Sequence, residues 1–129
     1  MHLYEKVNKI GSGKYEMILN IDKKIFTINF FGQYGKIEAE NFFKDYDEHL
    51  EIINKSEYHI ILDTTKLCVF KPAIVPYLER AYKSYYFFKK VTFVNPTSIM
   101  AKTQLQRVAK EVGTIDKFTF VDNIDEIKY

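Results

Sequence analysis

Tryptophan is absent from this chain of 129 residues, and cysteine (one), proline (three) and glycine (five) are scarce. A single cysteine, Cys68, cannot close an intramolecular disulfide, and no second cysteine or nearby histidine pair stands beside it at metal-ligand spacing. It reads as a small buried or half-buried apolar residue. With so little proline and glycine there is no linker composition, and no repeat or low-complexity tract divides the chain, so one domain is expected over residues 1–129.

Long apolar runs are missing as well. Tyr85-Tyr86-Phe87-Phe88 and Ile60-Ile61-Leu62 stop far short of the ~20 residues that span a bilayer. The start has no basic segment followed by an apolar core, so no membrane span and a cytoplasmic location are expected. Charge of one sign is lacking too, with a net of only +2. It is unevenly spread: residues 1–63 carry 8 lysines against 11 acids, residues 64–129 carry 11 basic residues against 6 acids. Such an asymmetry orients an acidic partner on the later half, or reflects helices with their own solvated faces. Lys102, Arg107 and Lys110, with Gln104 and Gln106, are not joined by a paired recognition helix or an RNP-type aromatic strand, so nucleic-acid binding is not expected.

What the chain has in quantity is aliphatic and aromatic side chains in periodic order. Lys14 to Asn20 and Ile25 to Phe31 read as two strands joined by the polar turn Asp22-Lys23-Lys24. From about Lys36 to Asn54, Ala39, Phe42, Phe43, Tyr46, Leu50 and Ile53 recur at spacings of three and four, which predicts an amphipathic helix. Tyr58 to Leu62, bounded by Ser56-Glu57 and Asp63, suits a strand covered on both faces. A second helix carries Ile74, Val75, Leu78, Tyr82, Tyr85 and Tyr86. Val91 to Val94 is a strand, and Ser98 to Val112 a third helix with Ile99, Leu105, Val108, Ala109 and Val112 on its apolar stripe and Gly113 as its left-handed end. Phe118 to Val121 is the last strand, followed by a helical turn through Ile124 and Ile127 capped by Asp122 or Asn123. The order is a β-hairpin followed by α-β-α-β-α-β-α. This predicts an α/β fold with an open mixed sheet, mostly parallel with one antiparallel strand, and right-handed crossovers.

Ile28-Asn29-Phe30-Phe31-Gly32, then Ile60-Ile61-Leu62-Asp63, then Val91-Thr92-Phe93-Val94, Gly113 and Asn123-Ile124-Asp125-Glu126-Ile127 together resemble the STAS domain, the sulfate transporter and anti-sigma factor antagonist family with its SpoIIAA-like members. The resemblance covers a core of about residues 14–128 and implies a STAS-like fold. In the family's phosphorylation-switched antagonists, an Asp-Ser-Ser-Gly stretch opens the second helix and a serine there accepts phosphate. Counted from Asp63, that stretch falls on Lys71-Pro72-Ala73-Ile74, which carries no hydroxyl. Pro72 and Pro76 also lack the backbone N–H groups by which a helix start holds an anion. A serine switch is therefore not expected.

Other chemistry is weakly supported. Gly11-Ser12-Gly13-Lys14 lacks the glycine, the hydroxyl residue and the helix that a phosphate loop requires. His2, His49 and His59 lie apart with no ligand spacing, and no nucleophile elbow surrounds a serine. The acids of the first helix read as a solvated face. No enzyme, cofactor or metal is expected. The expectation is a non-enzymatic regulatory module that binds a protein partner, a homodimer being one form this could take, through Asp63, Thr64, Thr65, Lys66, Lys71 and Tyr77. Asp63 is expected where strand meets loop, accepting backbone N–H groups while the threonines tighten the turn. The alternative is a carrier or sensor of a small apolar ligand in a pocket of several hundred cubic ångströms beneath the second helix. Tyr77, Tyr82, Tyr85, Tyr86, Phe87 and Phe88 crowd that helix and its exit in more directions than one sheet can bury, so some must be exposed.

Overall fold

A computed structural model describes residues 3–8, by their backbone, and residues 13–129. The elements are β1 (Leu3–Asn8), β2 (Lys14–Asn20), β3 (Ile25–Gly32), α1 (Lys36–Leu50), β4 (His59–Leu67), α2 (Val75–Tyr85), β5 (Lys90–Val94), α3 (Ile99–Glu111) and β6 (Phe118–Val121). Short 3-10 turns occupy Lys55–Glu57, Pro72–Ile74 and Ile124–Glu126. The six strands form one sheet in the order β1-β2-β3-β4-β5-β6. β1 and β3 both pair antiparallel with β2, and every later pair is parallel. Five strands thus run one way and β2 the other, as the patterning predicts; β1 is an addition to the expected sheet.

Alternation decides the faces. Tyr15, Met17 and Leu19 of β2, Phe26 and Ile28 of β3, Ile60 and Leu62 of β4, Val91 and Phe93 of β5 and Phe118 of β6 share one cluster with Phe42, Phe43 and Tyr46 of α1, Ala81, Tyr82 and Tyr85 of α2, and Leu105, Val108 and Ala109 of α3. All three helices therefore cover the same face. Each parallel strand is laid beside the previous one, so crossovers of one hand return every helix to one side. Each fully buried large side chain in this layer contributes about 1.5–3 kcal/mol of transfer free energy.

On the opposite face the expectation that Tyr58 to Leu62 is covered on both sides holds, since all five residues are buried, but the cover is of a different kind. No helix covers it; Ile61 and Val94 are buried instead beneath Ile127 of the chain's last segment, with Ile25 and Val121 packed at the margin. Four apolar residues in a row read alike whether a helix or a short strap covers their second face.

The helix ends follow local chemistry. The Glu38 carboxylate accepts the Gly35 N–H at 3.2 Å ahead of α1, and the Ser98 hydroxyl accepts the Ala101 N–H at 3.2 Å at the start of α3. Gly113 ends α3 at φ 77°, as expected. Asn123 rather than Asp122 caps the last turn, accepting the Asp125 N–H at 2.9 Å. α1 stops at Leu50, four residues before the predicted end.

Candidate functional site

The carboxyl edge of the parallel strands is built on an irregularity. Asn29 of β3 pairs with Asp63 of β4, but Phe31 pairs with Lys66, so Thr64 and Thr65 stand opposite the single residue Phe30. This is a β-bulge, which bends the strand and re-aims its side chains. The predicted strand ended at Leu62; the bulge carries β4 on to Leu67, and Asp63-Thr64-Thr65 lie inside the strand rather than at its junction with a loop.

Each residue of the stretch then has a definite task. The Asp63 carboxylate accepts the Thr65 N–H at 3.0 Å and the Thr65 hydroxyl, the local side-chain bonding that stabilises a bulged or turned backbone. Thr64 points to the helix side, is 2% exposed, and donates its hydroxyl to the Val94 carbonyl at 2.6 Å. It cannot touch a partner or a modifying enzyme from there, which corrects the expectation of Thr64 as a contact residue. Beyond Val94, where β5 stops pairing, the Thr97 N–H and hydroxyl donate to the Thr65 carbonyl at 3.3 and 3.2 Å.

Lys66 is exposed, with its ammonium 5.4 Å from the Phe31 ring centroid, and Lys71 is exposed at the start of the Pro72–Ile74 turn. Tyr77 is half-buried and stacks on Phe43 at 6.3 Å. The edge thus brings Lys66 and Lys71 to the surface, keeps Thr64 inside, and uses Tyr77 as much for packing as for display. Cys68, expected to be at least half-buried, is exposed.

Two features of this edge were missed. Gln104 of α3 holds the 68–71 loop by its main chain: its carbonyl oxygen accepts the Phe70 N–H at 2.8 Å and its amide donates to the Phe70 carbonyl at 2.9 Å. A lone glutamine in a helix gives no sequence signal for such a clamp. Ile99 and Met100, at the first turn of α3, are 80% and 68% exposed, although the helical periodicity placed Ile99 on the buried stripe. Met100 lies one turn before Gln104, on the face that meets the loop. Asn95, behind this turn, donates to the Asp122 carboxylate at 2.9 Å; that bond, and Lys102 at 3.7 Å, hold the Asp122 carboxyl below its ordinary range.

Beneath α2 lies an apolar cavity of about 60 Å³, walled by side chains of α1, α2, α3 and the carboxyl ends of β3 and β4. A pocket is present where the carrier alternative requires one, but it holds roughly two waters at ~30 Å³ each, an order of magnitude below the several hundred cubic ångströms expected. At the opposite, amino edge of the sheet, Tyr86 and Phe87 are exposed as the crowding of aromatics predicted, while Tyr82, Tyr85 and Phe88 are buried. Lys14 opens a strand and not a helix, which removes the phosphate-loop reading; Gly11, Ser12 and His2 lie outside the described residues. Among the described residues no group of three or more His, Cys, Asp or Glu is placed to hold a metal, and no helix is long and apolar enough to cross a membrane.

No protein-family model matches the chain, and no curated protein sequence matches it. Solved structures do. One is an uncharacterized protein of the DUF3478 family with a SpoIIAA-like fold from Shewanella loihica PV-4: the two are 14% identical, the match covers 96% of this chain and 89% of that one, and the TM-score is 0.60. The fold is SpoIIAA-like. In this SpoIIAA-like frame, the start of α2 is where the resemblance placed a phosphate-accepting serine, and Lys71-Pro72-Ala73-Ile74 stands there without a hydroxyl.

Proposed function

We propose that this SpoIIAA-like domain is a non-enzymatic regulatory module that docks a protein partner on the carboxyl edge of its sheet, without a serine phosphorylation switch. The observation that carries the reading is the pair Ile99 and Met100, two large apolar side chains more than two-thirds exposed at the first turn of α3, the helix whose Gln104 holds the 68–71 loop. Lys66 and Lys71 are exposed on the same edge, giving it an apolar centre with a basic rim. Exposed large apolar groups rimmed by polar residues are the usual mark of an interaction surface. The partner's matching surface is apolar with acidic residues around it, which accords with the positive balance of residues 64–129.

A photo-crosslinking residue at position 100, introduced in the source organism, tests this directly. One recurring protein should be captured there, and capture should fall at least tenfold when Ile99→Asp and Lys71→Glu are added. A crosslinker at Glu48, on the solvated face of α1, should not capture it. Equal capture from both positions, or capture indifferent to the two substitutions, removes this surface from consideration.

A further inference from the structure

Strands β3 to β6 run parallel and so all start at the amino edge, where a lysine stands shortly ahead of each: Lys24 before β3, Lys55 before β4, Lys89 before β5 and Lys117 before β6. The topology thus gathers lysines that lie far apart in the chain. Lys24 is engaged with Glu57 at 3.0 Å, but Lys55, Lys89 and Lys117 take no carboxylate partner among the described residues. Two of them lie on aromatic rings instead. The Lys55 ammonium stands 5.5 Å from the ring centroid of Phe87, and the Lys117 ammonium 5.0 Å from that of Tyr86. Phe87 is 63% exposed and Tyr86 41%, their rings meet edge to face at 5.6 Å, and both lie in the connection from α2 to β5. Tyr85 and Phe88 on either side are buried, so the core is filled without these two rings. The sequence around them has one sign of charge, since every charged residue from Arg80 to Lys110 is basic.

We propose that this edge is a docking surface for an anionic lipid bilayer, with Phe87 and Tyr86 entering the interface and Lys55, Lys89 and Lys117 meeting the headgroups. Three observations select a lipid layer over other anionic partners. Two of the lysines ride on the rings they would accompany, so each ring can enter the apolar boundary while its ammonium stays at headgroup level. The unpaired cations are lysines, hydrated point charges that suit a fluid headgroup layer, whereas the nearby Arg80, whose planar fork would read a single carboxylate or phosphate, is engaged with Asp47 at 3.1 Å. The two rings stand at 82° to each other with a cation over each, which leaves no parallel plates on which nucleic-acid bases could stack. A second copy of the chain would bring like charge to like. Docking of this kind is peripheral and needs no membrane-crossing helix. The surface lies at the end of the sheet opposite the partner-docking edge and stands independently of it.

Co-sedimentation of the full chain with vesicles of phosphatidylcholine alone, and of equal parts phosphatidylcholine and phosphatidylserine, tests this. The chain should pellet with the anionic vesicles and stay in solution with the neutral ones, and added salt should release it. Phe87→Ser, and the pair Lys55→Glu with Lys117→Glu, should each lower binding by roughly tenfold or more while keeping the circular dichroism spectrum of the unmodified chain. Phe87→Leu should retain most of the binding, and Lys44→Glu, the same kind of charge change on the solvated face of α1, should lower it much less. No pelleting with the anionic vesicles, equal pelleting with both, or losses from Lys44→Glu as large as those at the patch overturns the proposal. Binding that survives both Phe87→Ser and the lysine pair does the same. Tighter binding of oligouridylate or polyglutamate than of the anionic vesicles, lost in the same variants, transfers the surface to a nucleic acid or an acidic protein segment and overturns the lipid class.

Discussion

At the scale of the residue, the histidine of β4 shows how burial turns an ordinary group into a condition on stability. His59 lies on the face without helices, its Nε2 2.8 Å from the Thr92 hydroxyl, beside the ring of Tyr129 and near Lys90. Desolvation first, and Lys90 second, push its pKa down to about 4 from an ordinary 6.5. The folded chain therefore keeps His59 neutral in a range where the unfolded chain takes up a proton. Stability from this site is complete above about pH 6.5 and is lost progressively as the pH falls to about 4. Melting temperatures measured across that interval should fall with pH, and His59→Gln, which can still reach Thr92, should flatten the fall. An unchanged slope in the variant would assign the acid sensitivity to other groups.

Elements, rather than residues, explain how the carboxyl edge keeps its shape. The loop after β4 is tied to α3 by the two Gln104 bonds to Phe70 and to β3 by the Cys68 N–H, which donates to the Gly32 carbonyl at 3.0 Å. Gln104→Leu removes both side-chain bonds and leaves the half-buried main chain of Phe70 without those partners, at about 1–3 kcal/mol. Hydrogen exchange should then accelerate at Phe70 and in the Pro72–Ile74 turn and stay unchanged in β2 and β3; uniform acceleration would mean that the clamp supports the whole fold. The strands and helices around this edge were legible in the sequence because Phe42, Tyr46 and Leu105, or Met17 and Leu19, repeat with the period of their element. The edge itself was not. Asp63-Thr64-Thr65 has turn chemistry, and the bulge uses that chemistry without ending the strand, so the sequence reads as a stop where the chain continues. Gln104 and the exposed Ile99 were hidden for a related reason: periodicity reports which face a helix turns inward, not which of its first residues overhang the sheet.

For the whole molecule, the chain's single cysteine offers a direct probe of the docking surface, because Cys68 is exposed on the loop that Gln104 holds. Coupling a 5-kDa-class polyethylene glycol maleimide there should leave the circular dichroism spectrum and melting temperature of the chain unchanged and block capture of its partner. Coupling the small N-ethylmaleimide should reduce capture much less. Equal capture by the large and small adducts would place the partner elsewhere on the surface. The one-sided arrangement of helices also explains why Ile127 is buried although it follows the last strand. Among the described residues it supplies apolar cover that no helix gives on that face, over Ile61 and Val94 with Ile25 and Val121 beside them.

The sheet's neighbours in space are its neighbours in sequence from β1 to β6. A chain emerging from the ribosome amino end first can therefore complete each strand pair before the next strand exists, and no early strand must wait for a late one to be inserted beside it. β3 finds β2 at once across a four-residue turn, and each later strand needs only its own helix to return to a growing edge. At every stage the sheet then has β1 at one edge and the newest strand at the other, and only the second of these edges waits for a partner.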